Sequence, residues 1–368
     1  MSADPFNERQ QPHSHPQHPH TSHVEPHAQP HAGPPPHAVL MQMVMGSWVA
    51  QIASAFAQLE VPDNIAKGKV SVEELAAAAP ADAEALYRLL RAAASIGLCA
   101  ETAPRHFALT PVGDALRHDA PHSVRDFVVA ETARGHWLPW GRLADAVRRG
   151  GPMTEETLGM NAWEYYAKNI EEGHCFARGM GNLSAIVSED VARVYDPGDV
   201  KRIVDVGGSE GMLLRGLLAR VPGARGVLFD RPEIIGKAKG AIAASGFAGR
   251  IELAGGDFLA TAPEGGDLYL LKSILHDWPH DACETILRNV HRAAAPDSRL
   301  LVIEMTLPDG PAGAPSQVPL MDMNMLVMLG GRERTAAEFA AMLARCGYTV
   351  ERVVPTPGPF SVIEARRT

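Results

Sequence analysis

Apolar residues near the start of the chain recur at helical spacing. From residue 40 to 59 they lie three or four positions apart, which predicts a helix whose broad apolar face needs a partner. A capping box at residues 71–74 predicts a helix over 72–79, and another helix is predicted over 83–96. A short hairpin follows at residues 98–110. Three helices and a hairpin indicate a winged-helix shape.

The second half of the chain contains short apolar runs separated by helical segments. This alternation predicts an open α/β sheet, in which ligands bind beyond the carboxyl ends of the strands. Helices predicted over residues 161–194 join this part to the first one. The seven predicted strands lie near residues 201–206, 225–229, 250–253, 267–272, 299–304, 348–354 and 360–366.

The most informative apolar run ends in a glycine-rich turn at residues 207–211. Glycine has no Cβ and tolerates positive φ, so Gly207 and its neighbours allow a sharp strand-to-helix turn beneath a nucleotide-like cofactor. Taken alone, such a turn is also compatible with a purely structural role. The next strand ends in Asp230, where a nucleotide-binding unit has an acid for the ribose hydroxyls.

Two further strands end in polar and aromatic residues. Asp257 and Phe258 follow the third strand, and they would bring an acid and an aromatic ring to a base. The alternative for Asp257 is a loop aspartate that caps a turn. The fourth strand leads to His276, which is thereby predicted to lie at the ligand-binding edge of the sheet. Because these sites occur in the right order, a cofactor site is favoured over a structural turn.

With these residues in order, the chain resembles small-molecule O-methyltransferases dependent on S-adenosylmethionine (SAM), of the two-domain type found in plant phenylpropanoid and bacterial antibiotic pathways. The resemblance covers residues 38–368. One departure is Ser209, where the family usually has a third glycine, so an adjusted cofactor loop is expected. The specific motifs are Asp205-Val-Gly-Gly, Leu228-Phe-Asp-Arg-Pro232, Gly256-Asp-Phe258, Leu271-Lys272, Leu275-His-Asp-Trp278, Val302-Ile-Glu304 and Gly331-Arg-Glu-Arg-Thr335.

The resemblance implies an α/β fold: a Rossmann-like, seven-stranded class I methyltransferase domain preceded by a mostly helical, winged-helix-like dimerisation domain. A homodimer formed through the N-terminal domain is implied, in which each partner closes the other's active site. The expected divisions are a disordered His- and Pro-rich tail at 1–37, the dimerisation domain at 38–118, a helical linker contributing to the substrate pocket at 119–198 and the SAM-binding domain at 199–368.

Methyl transfer from a sulfonium needs no metal and no covalent enzyme intermediate, because the leaving group is already activated by its positive charge. A phenol with a pKa of about 10 is mostly neutral at pH 7, so a nearby base is useful and histidine suits this role. His276 is the predicted base. Glu304 is expected to hydrogen-bond the other imidazole nitrogen, with Glu333 as a second flanking carboxylate. Ordinary strand-end and loop acids are the alternative for both.

The remaining site residues follow from their motif positions. Phe176, Met180 and Ser184 are four residues apart and hence share a helix face. The resemblance implies that this stretch reaches the methionine end of SAM and the acceptor, so the first two are predicted acceptor contacts, with ordinary packing as the alternative. Met325 and Met328 would shape an apolar acceptor pocket or belong to a helix core. The predicted SAM contacts are Gly207, Asp230, Asp257, Phe258, Lys272, Trp278 and Ser184.

Composition narrows the class of protein. The 368 residues suffice for two domains, and 46% of them are hydrophobic, which is typical of a folded protein. Without a run of 18 apolar residues or a secretory signal, a cytoplasmic protein with no membrane partner is expected. Four scattered cysteines suit a reducing compartment, and a net charge of −9 argues against nucleic acid as the main partner. The histidines of residues 1–37 leave metal capture as an alternative for the tail.

Three other functions are alternatives at this point. A winged helix could bind DNA, but the helix at 83–96 carries only Arg88 and Arg91 among alanines and leucines, with Asp82 and Glu84 at its start. A nicotinamide oxidoreductase is disfavoured because the turn lacks the G-x-G-x-x-G order. A SAM-binding relative could also catalyse a decarboxylation, hydroxylation or pericyclic step. His276, Glu304 and Glu333 together favour methylation of a hydroxyl on an aromatic natural product of bacterial secondary metabolism.

Overall fold

The computed structural model of the protein describes residues 33–310 and 316–368. The tail expected at residues 1–37 therefore lies outside the described residues, except for its last few positions, where a helix already begins at Pro36. By its internal contacts the chain divides into two units, residues 1–47 and 48–368.

Helices dominate the first half of the chain and alternate with strands in the second half. In the described part the helices are α1 (Pro36–Gln58), α2 (Val61–Ala66), α3 (Val72–Ala78), α4 (Ala83–Ser95), α5 (Pro111–Asp114), α6 (Arg125–Thr132), α7 (Arg134–Trp140), α8 (Leu143–Arg149), α9 (Thr154–Leu158), α10 (Ala162–Lys168), α11 (Ile170–Val194), α12 (Met212–Arg220), α13 (Pro232–Ala244), α14 (His280–Ala293), α15 (Val318–Met328) and α16 (Ala336–Arg345), with a 3₁₀ turn at Leu275–Asp277. The strands are β1 (Cys99–Ala103), β2 (His106–Leu109), β3 (Arg202–Val206), β4 (Arg225–Asp230), β5 (Ile251–Gly255), β6 (Leu268–Lys272), β7 (Arg299–Leu307), β8 (Arg334–Thr335), β9 (Tyr348–Pro355) and β10 (Phe360–Arg367).

Helix α1 is strongly apolar. Over an 18-residue window its mean hydropathy is 1.4, and by length and composition it is the one helix within residues 33–310 and 316–368 that could cross a membrane. A helix that packs against a protein surface passes the same test, so this is weak support for a membrane span. Near the middle of the helix Trp48 and Val49 are exposed, whereas Phe56 and Ala57 near its end are fully buried.

The expected winged-helix arrangement is confirmed. Strands β1 and β2 pair antiparallel after helices α2 to α4, and an apolar core forms around Phe56, Leu90 and Phe107. The capping box is present: Ser71 Oγ accepts from the backbone N–H of Glu74 at 3.3 Å, and the Glu74 carboxylate accepts from the N–H of Ser71 at 3.0 Å. These reciprocal bonds satisfy two backbone donors at the start of α3.

The second half of the chain forms one mixed sheet in the order β5-β4-β3-β6-β7-β10-β9, and the two-residue strand β8 pairs with β7. All seven predicted strands are present within a few residues of their expected bounds. Strands β3 to β7 are parallel, whereas β10 runs antiparallel to both β7 and β9. The strand order reverses between β3 and β6, which is where open α/β sheets bind their ligands.

A buried ion cluster ties the antiparallel edge of this sheet to the end of α11. Glu364 on β10 is 2% exposed and accepts hydrogen bonds from Tyr195 at 2.9 Å and Arg299 at 3.0 Å, and it also pairs with Arg352. Burial by itself raises the pKa of Glu364, but the hydrogen bonds from Arg352, Tyr195 and Arg299 lower it below its ordinary value. The carboxylate is therefore compensated, and removing it would leave the mostly buried guanidinium of Arg299 without its anionic partner.

We expect Glu364→Ala to lower the free energy of unfolding by about 3 kcal/mol, because it breaks a buried pair from one side. Glu351→Ala is the matched control, since Glu351 pairs with Arg366 in a solvent-exposed bridge and should change the free energy of unfolding much less. Urea denaturation of both variants measures the difference. An equal loss of stability in the two variants would contradict the assignment of Glu364 as the anchor of this edge.

Candidate active site

The glycine turn between β3 and α12 leaves bare backbone at the reversal point of the sheet. Gly207 has a φ of 72°, and a Cβ there would overlap the side chain of Ile274. A Cβ on Gly208 would lie 2.6 Å from the carboxylate of Asp205. A side chain at either position would therefore displace its neighbours, and at Gly207 it would also be strained by the positive φ. Ser209, which replaces the third glycine, has a φ of 51° and thus adopts the left-handed conformation itself.

The acid at the end of β4 lies beside this turn. The backbone N–H of Ser209 donates to Asp230 Oδ2 at 2.9 Å, and that of Arg231 donates to Asp230 Oδ1 at 2.8 Å. Gly207 and Asp230, two predicted SAM contacts, are thus brought to the same edge of the sheet. Each carboxylate oxygen has two lone pairs, so Asp230 retains acceptor capacity for hydroxyl groups.

The residues predicted to contact adenine also meet. The rings of Phe258 and Trp278 are 5.8 Å apart and perpendicular, an edge-to-face pair. Asn289 fixes this segment by donating to the carbonyl of Phe258 at 2.8 Å. Asp257 Oδ1 accepts from the N–H of Leu259 at 2.8 Å, so Asp257 makes the turn-capping bond that its alternative interpretation describes. This bond uses only one carboxylate oxygen of Asp257, so the other oxygen is left for the predicted ligand contact.

Lys272 lies at the end of β6 near the carboxylates of Asp205 and Glu304. Burial lowers the pKa of Lys272, and the two carboxylates oppose this effect only in part. Burial raises the pKa of Asp205 to about 7. Within the described part of the chain, the buried Asp205 Oδ2 has no hydrogen-bond partner. The unpaired oxygen of Asp205 thus lies near the ammonium group of Lys272 and the bare backbone of the glycine turn. This combination suits a polar ligand such as SAM, which has both an amino acid and a nucleoside part.

Two buried carboxylates face His276, which lies in the 3₁₀ turn after β6. The imidazole Nδ1 is 2.9 Å from Glu333 Oε1 but 3.9 Å from Glu304 Oε2. The expectation that Glu304 makes the imidazole hydrogen bond is therefore wrong, because Glu333 makes it. Both carboxylates are fully buried, and the Oε2 atom of each has no hydrogen-bond partner among residues 33–310 and 316–368.

Glu304 supports the backbone of the turn instead of its histidine ring. Its Oε1 accepts from the N–H groups of Ile274 at 3.1 Å and Leu275 at 2.8 Å. The physical reason is position: β7 pairs with β6 in parallel, so a side chain near the end of β7 lies beside the segment that leaves β6. Glu333 approaches from the loop after α15 and reaches the ring itself.

The cluster has a high affinity for protons. Burial lowers the pKa of His276, but the carboxylates of Glu304, Glu333 and Asp277 more than offset this effect and raise the pKa to about 10. Burial raises the pKa of Glu304 to about 7 and also raises that of Asp277. Asp277 Oδ1 is 3.4 Å from His276 Nε2, so a third carboxylate lies beside the histidine. The imidazole is therefore held as a cation near neutral pH.

A metal ion is a second possibility for the same three side chains. One ligand atom from each of His276, Glu304 and Glu333 lies within 4.8 Å of the others. Metal binding requires a neutral imidazole nitrogen that is free to coordinate. The distance of 2.9 Å between Nδ1 and Glu333 Oε1 is instead that of a direct hydrogen bond, with the proton between the two atoms.

Sequence reasoning missed Arg334 and Asp322, which hold this cluster in place. The guanidinium of Arg334 is 2% exposed and donates to the carbonyls of Leu275 at 2.9 Å and Trp278 at 3.2 Å, on either side of the histidine. Asp322 Oδ1 accepts from the backbone N–H of Glu333 at 2.8 Å. Arg334 could have been predicted from its place in the Gly331–Thr335 motif. Asp322 could not, because it lies in a methionine-rich helix outside the motifs.

The predicted acceptor contacts lie on two helices. On α11, Phe176, Met180 and Ser184 are all partly buried, and Phe176 stacks on Tyr166 with ring centroids 4.5 Å apart. On α15, Met325 and Met328 are buried, and Met328 packs in an apolar cluster with neighbouring helices. Helix core is therefore the simpler description of Met328. Contact with an acceptor stays a prediction for all four apolar residues, and contact with SAM stays one for Ser184.

Comparison with known proteins defines the class. Residues 140–349 match the O-methyltransferase domain family, and residues 41–119 match the O-methyltransferase dimerisation domain. The chain therefore belongs to the O-methyltransferase family and is a SAM-dependent enzyme. The dimerisation domain supports a homodimer.

Individual relatives are similar over nearly their whole length. The phenazine O-methyltransferase of Lysobacter antibioticus is 36% identical over 89% of this chain and 96% of its own. The mitomycin biosynthesis 6-O-methyltransferase of Streptomyces lavendulae is 35% identical over 88% and 93%. An 8-amino-8-demethylriboflavin N,N-dimethyltransferase of Streptomyces davaonensis is 32% identical over 87% and 92%. The family thus includes enzymes that methylate nitrogen.

Solved structures agree with this assignment. The Lysobacter phenazine enzyme superposes with a TM-score of 0.85 at 36% identity, covering 91% of this chain and 100% of that one. Human N-acetylserotonin methyltransferase, solved in complex with SAM, superposes with a TM-score of 0.83 at 26% identity, covering 92% and 99%. The class I methyltransferase fold with an N-terminal dimerisation domain is therefore confirmed.

We expect Gly207→Ala to weaken SAM binding by at least about tenfold, or about 1.4 kcal/mol, because the added Cβ overlaps Ile274 at the proposed cofactor turn. Gly246→Ala is the matched control: its φ of 75° is equally left-handed, but a Cβ there meets nothing within 4 Å. Titration calorimetry with SAM compares the two variants. Equal SAM affinities would show that the turn does not contact the cofactor.

Proposed function

We propose that the protein transfers a methyl group to a hydroxyl of an aromatic small molecule in bacterial secondary metabolism, with His276 as the general base. The observation that carries this proposal is the bond of 2.9 Å between His276 Nδ1 and the buried Glu333. It occupies Nδ1, which leaves Nε2, 3.4 Å from Asp277 Oδ1, as the nitrogen that would take the proton of the acceptor. The similarity to O-methyltransferases of phenazine and mitomycin pathways supports the substrate class.

Bound SAM supplies a methyl group on a positively charged sulfur atom, which is already activated for transfer. The protein must therefore orient the acceptor and remove its proton. In its neutral form His276 accepts the hydroxyl proton at Nε2, and the resulting imidazolium is stabilised by the carboxylates of Glu333, Glu304 and Asp277. Glu304 also keeps the turn in position through the N–H groups of residues 274 and 275.

Oxygen is favoured over nitrogen as the methylated atom. A phenol with a pKa of about 10 is a weak acid at pH 7 and gains from a strong base nearby. The pKa of about 10 at His276 matches such a hydroxyl, so proton transfer between the two is close to balanced. A neutral amine already has a free lone pair and needs no prior deprotonation. A non-methylating reaction on the same fold is the second candidate, but it has less use for a base of this strength.

Further assignments complete the proposal. The proposed SAM contacts are Gly207, Asp230, Asp257, Phe258, Lys272, Trp278 and Ser184. The proposed lining of the acceptor pocket is Phe176, Met180, Met325 and Met328.

We place the domain boundaries at residues 38, 119 and 199. The N-terminal domain would form the homodimer, with the apolar face of α1 as part of the contact. We propose a cytoplasmic enzyme without nucleic acid or membrane partners and without a catalytic metal.

Replacement of His276 by Gln should reduce the rate of methyl transfer by about 10²–10⁴-fold, because general base catalysis is lost, while SAM binding is retained. His280→Gln is the matched control, since His280 is exposed on the next helix and pairs with Glu284. Mass spectrometry of methylated phenols measures the rate, and calorimetry measures SAM affinity.

A chelator such as EDTA should leave the wild-type rate unchanged; a lasting loss of activity would indicate a metal in the cluster.

The rate should rise with pH. Because the pKa of His276 is raised to about 10, the base is protonated at neutral pH, so kcat/KM should increase about tenfold per pH unit between roughly pH 7 and 9. In Glu333→Gln one cause of the raised pKa is removed, and the profile should shift toward lower pH. Profiles recorded for both proteins with one phenol test this. A profile that is flat over this range in the wild type would refute His276 as the base.

A further inference from the structure

A second buried histidine joins two other polar side chains in the helical part of the chain. His136 on α7 is 3% exposed, its Nδ1 is 2.8 Å from the hydroxyl of Tyr166 and its Nε2 is 3.2 Å from Glu131 Oε1. The three residues come from α6, α7 and α10, so only the tertiary fold brings them together. We refer to Glu131, His136 and Tyr166 as the Tyr166 relay. The proposed mechanism does not use it.

The relay is next to a proposed acceptor contact. The ring of Tyr166 lies parallel to that of Phe176, with centroids 4.5 Å apart and an angle of 7° between planes. The ring of His136 is 5.7 Å from that of Phe176. Phe176 in turn shares a helix face with Met180. The end of the relay therefore borders the aromatic surface on which the acceptor would lie.

A chain of contacts also joins the relay to the catalytic cluster. His136 and Trp140 are four residues apart and share a face of α7. The indole of Trp140 donates to Asn324 on α15 at 2.7 Å. On the same helix, Asp322 accepts from the backbone of Glu333 at 2.8 Å. Helix α15 thus contacts both Trp140 and the backbone of Glu333, and so connects the two groups of polar residues.

The protonation states of His136 and Glu131 determine which atoms of the relay donate hydrogen bonds and which accept them. Burial lowers the pKa of His136 to about 4, so the ring is neutral near pH 7 and has one donor and one acceptor nitrogen. Burial raises the pKa of Glu131 to about 7. When Nδ1 of the neutral ring accepts from the Tyr166 hydroxyl, the N–H is on Nε2, 3.2 Å from Glu131 Oε1. The lone pairs of the Tyr166 oxygen are left to accept a hydrogen bond from a ligand.

The charged groups that act most strongly on Tyr166 are acidic. Burial, followed by the negative charges of Glu131 and Glu172, raises the pKa of Tyr166, so its hydroxyl stays neutral. Tyr165 and Cys175 also lie close to it. Glu172 is held by the hydroxyl of Tyr165 at 3.0 Å and by a backbone N–H of α7 at 2.6 Å. These charges disfavour an anionic substituent at this end of the pocket.

We propose that the Tyr166 relay recognises a second, neutral hydrogen-bond donor on the aromatic acceptor, a hydroxyl or amino group remote from the methylated oxygen. This inference rests on the proposed function and names the acceptor class more narrowly. The preferred acceptors are dihydroxy- or aminohydroxy-aromatics. Aromatic carboxylates are disfavoured.

Dihydroxynaphthalenes with hydroxyls on different rings, 1-naphthol and hydroxynaphthoates are suitable probes, because they share a ring system and differ in the second substituent. The wild type should methylate the dihydroxynaphthalenes with the highest kcat/KM. Tyr166→Phe should lower kcat/KM for these compounds by up to about tenfold, the effect of one hydrogen bond, and leave 1-naphthol nearly unchanged. Tyr165→Phe is the matched control, since that hydroxyl bonds Glu172 outside the relay.

Two outcomes would overturn the proposal. An equal loss for all three probe classes in Tyr166→Phe would indicate a structural role, and a wild-type preference for hydroxynaphthoates would exclude a neutral substituent. Failure of the wild type to methylate any dihydroxynaphthalene would also overturn the acceptor class. SAM binding by calorimetry and the effect of His276→Gln on other phenols report on the proposed function independently of the relay.

Discussion

The structure around the active site depends on the burial of two carboxylates, Glu304 and Glu333, against one imidazole. A buried anion is costly unless hydrogen bonds and a positive charge replace its hydration. The cation at His276 supplies the charge, and two backbone N–H groups supply hydrogen bonds to Glu304. The guanidinium of Arg334 fixes the carbonyls around the histidine, and Asp322 fixes the backbone of Glu333. The short turn after β6 can therefore hold its shape only while this set of charges is complete.

The parts of the molecule that follow from local sequence pattern were predictable. Strands β3 to β6 are mostly apolar runs that end at, or are followed within a few residues by, glycine, acidic or histidine residues, and parallel strands bring their carboxyl ends to one edge. For this reason the order of residues along the chain is enough to predict that Gly207, Asp230 and His276 lie near one another. The capping box at Ser71 was visible because its two bonds involve residues only three positions apart.

Features that depend on how distant segments approach one another were not predictable. Sequence gives no means of deciding whether Glu304 or Glu333 reaches the imidazole, because the answer depends on the path of the loop after α15. The Tyr166 relay unites three helices, and its residues carry no common motif. The buried position of Met328 also could not be inferred, since a methionine that lines a pocket and one that fills a core have the same spacing along a helix.

The turn at Gly207 has a consequence for how the enzyme would work in a cell. It is already formed with Asp230 hydrogen-bonded to Ser209, and most of the proposed contacts fall on the ribose and adenine of the cofactor. S-adenosylhomocysteine, the demethylated product, retains both of these parts. Binding at this turn therefore discriminates little between donor and product, and the spent nucleoside competes for the site. Flux through the enzyme would then follow the ratio of the two compounds, and hence the rate at which the cell hydrolyses the product.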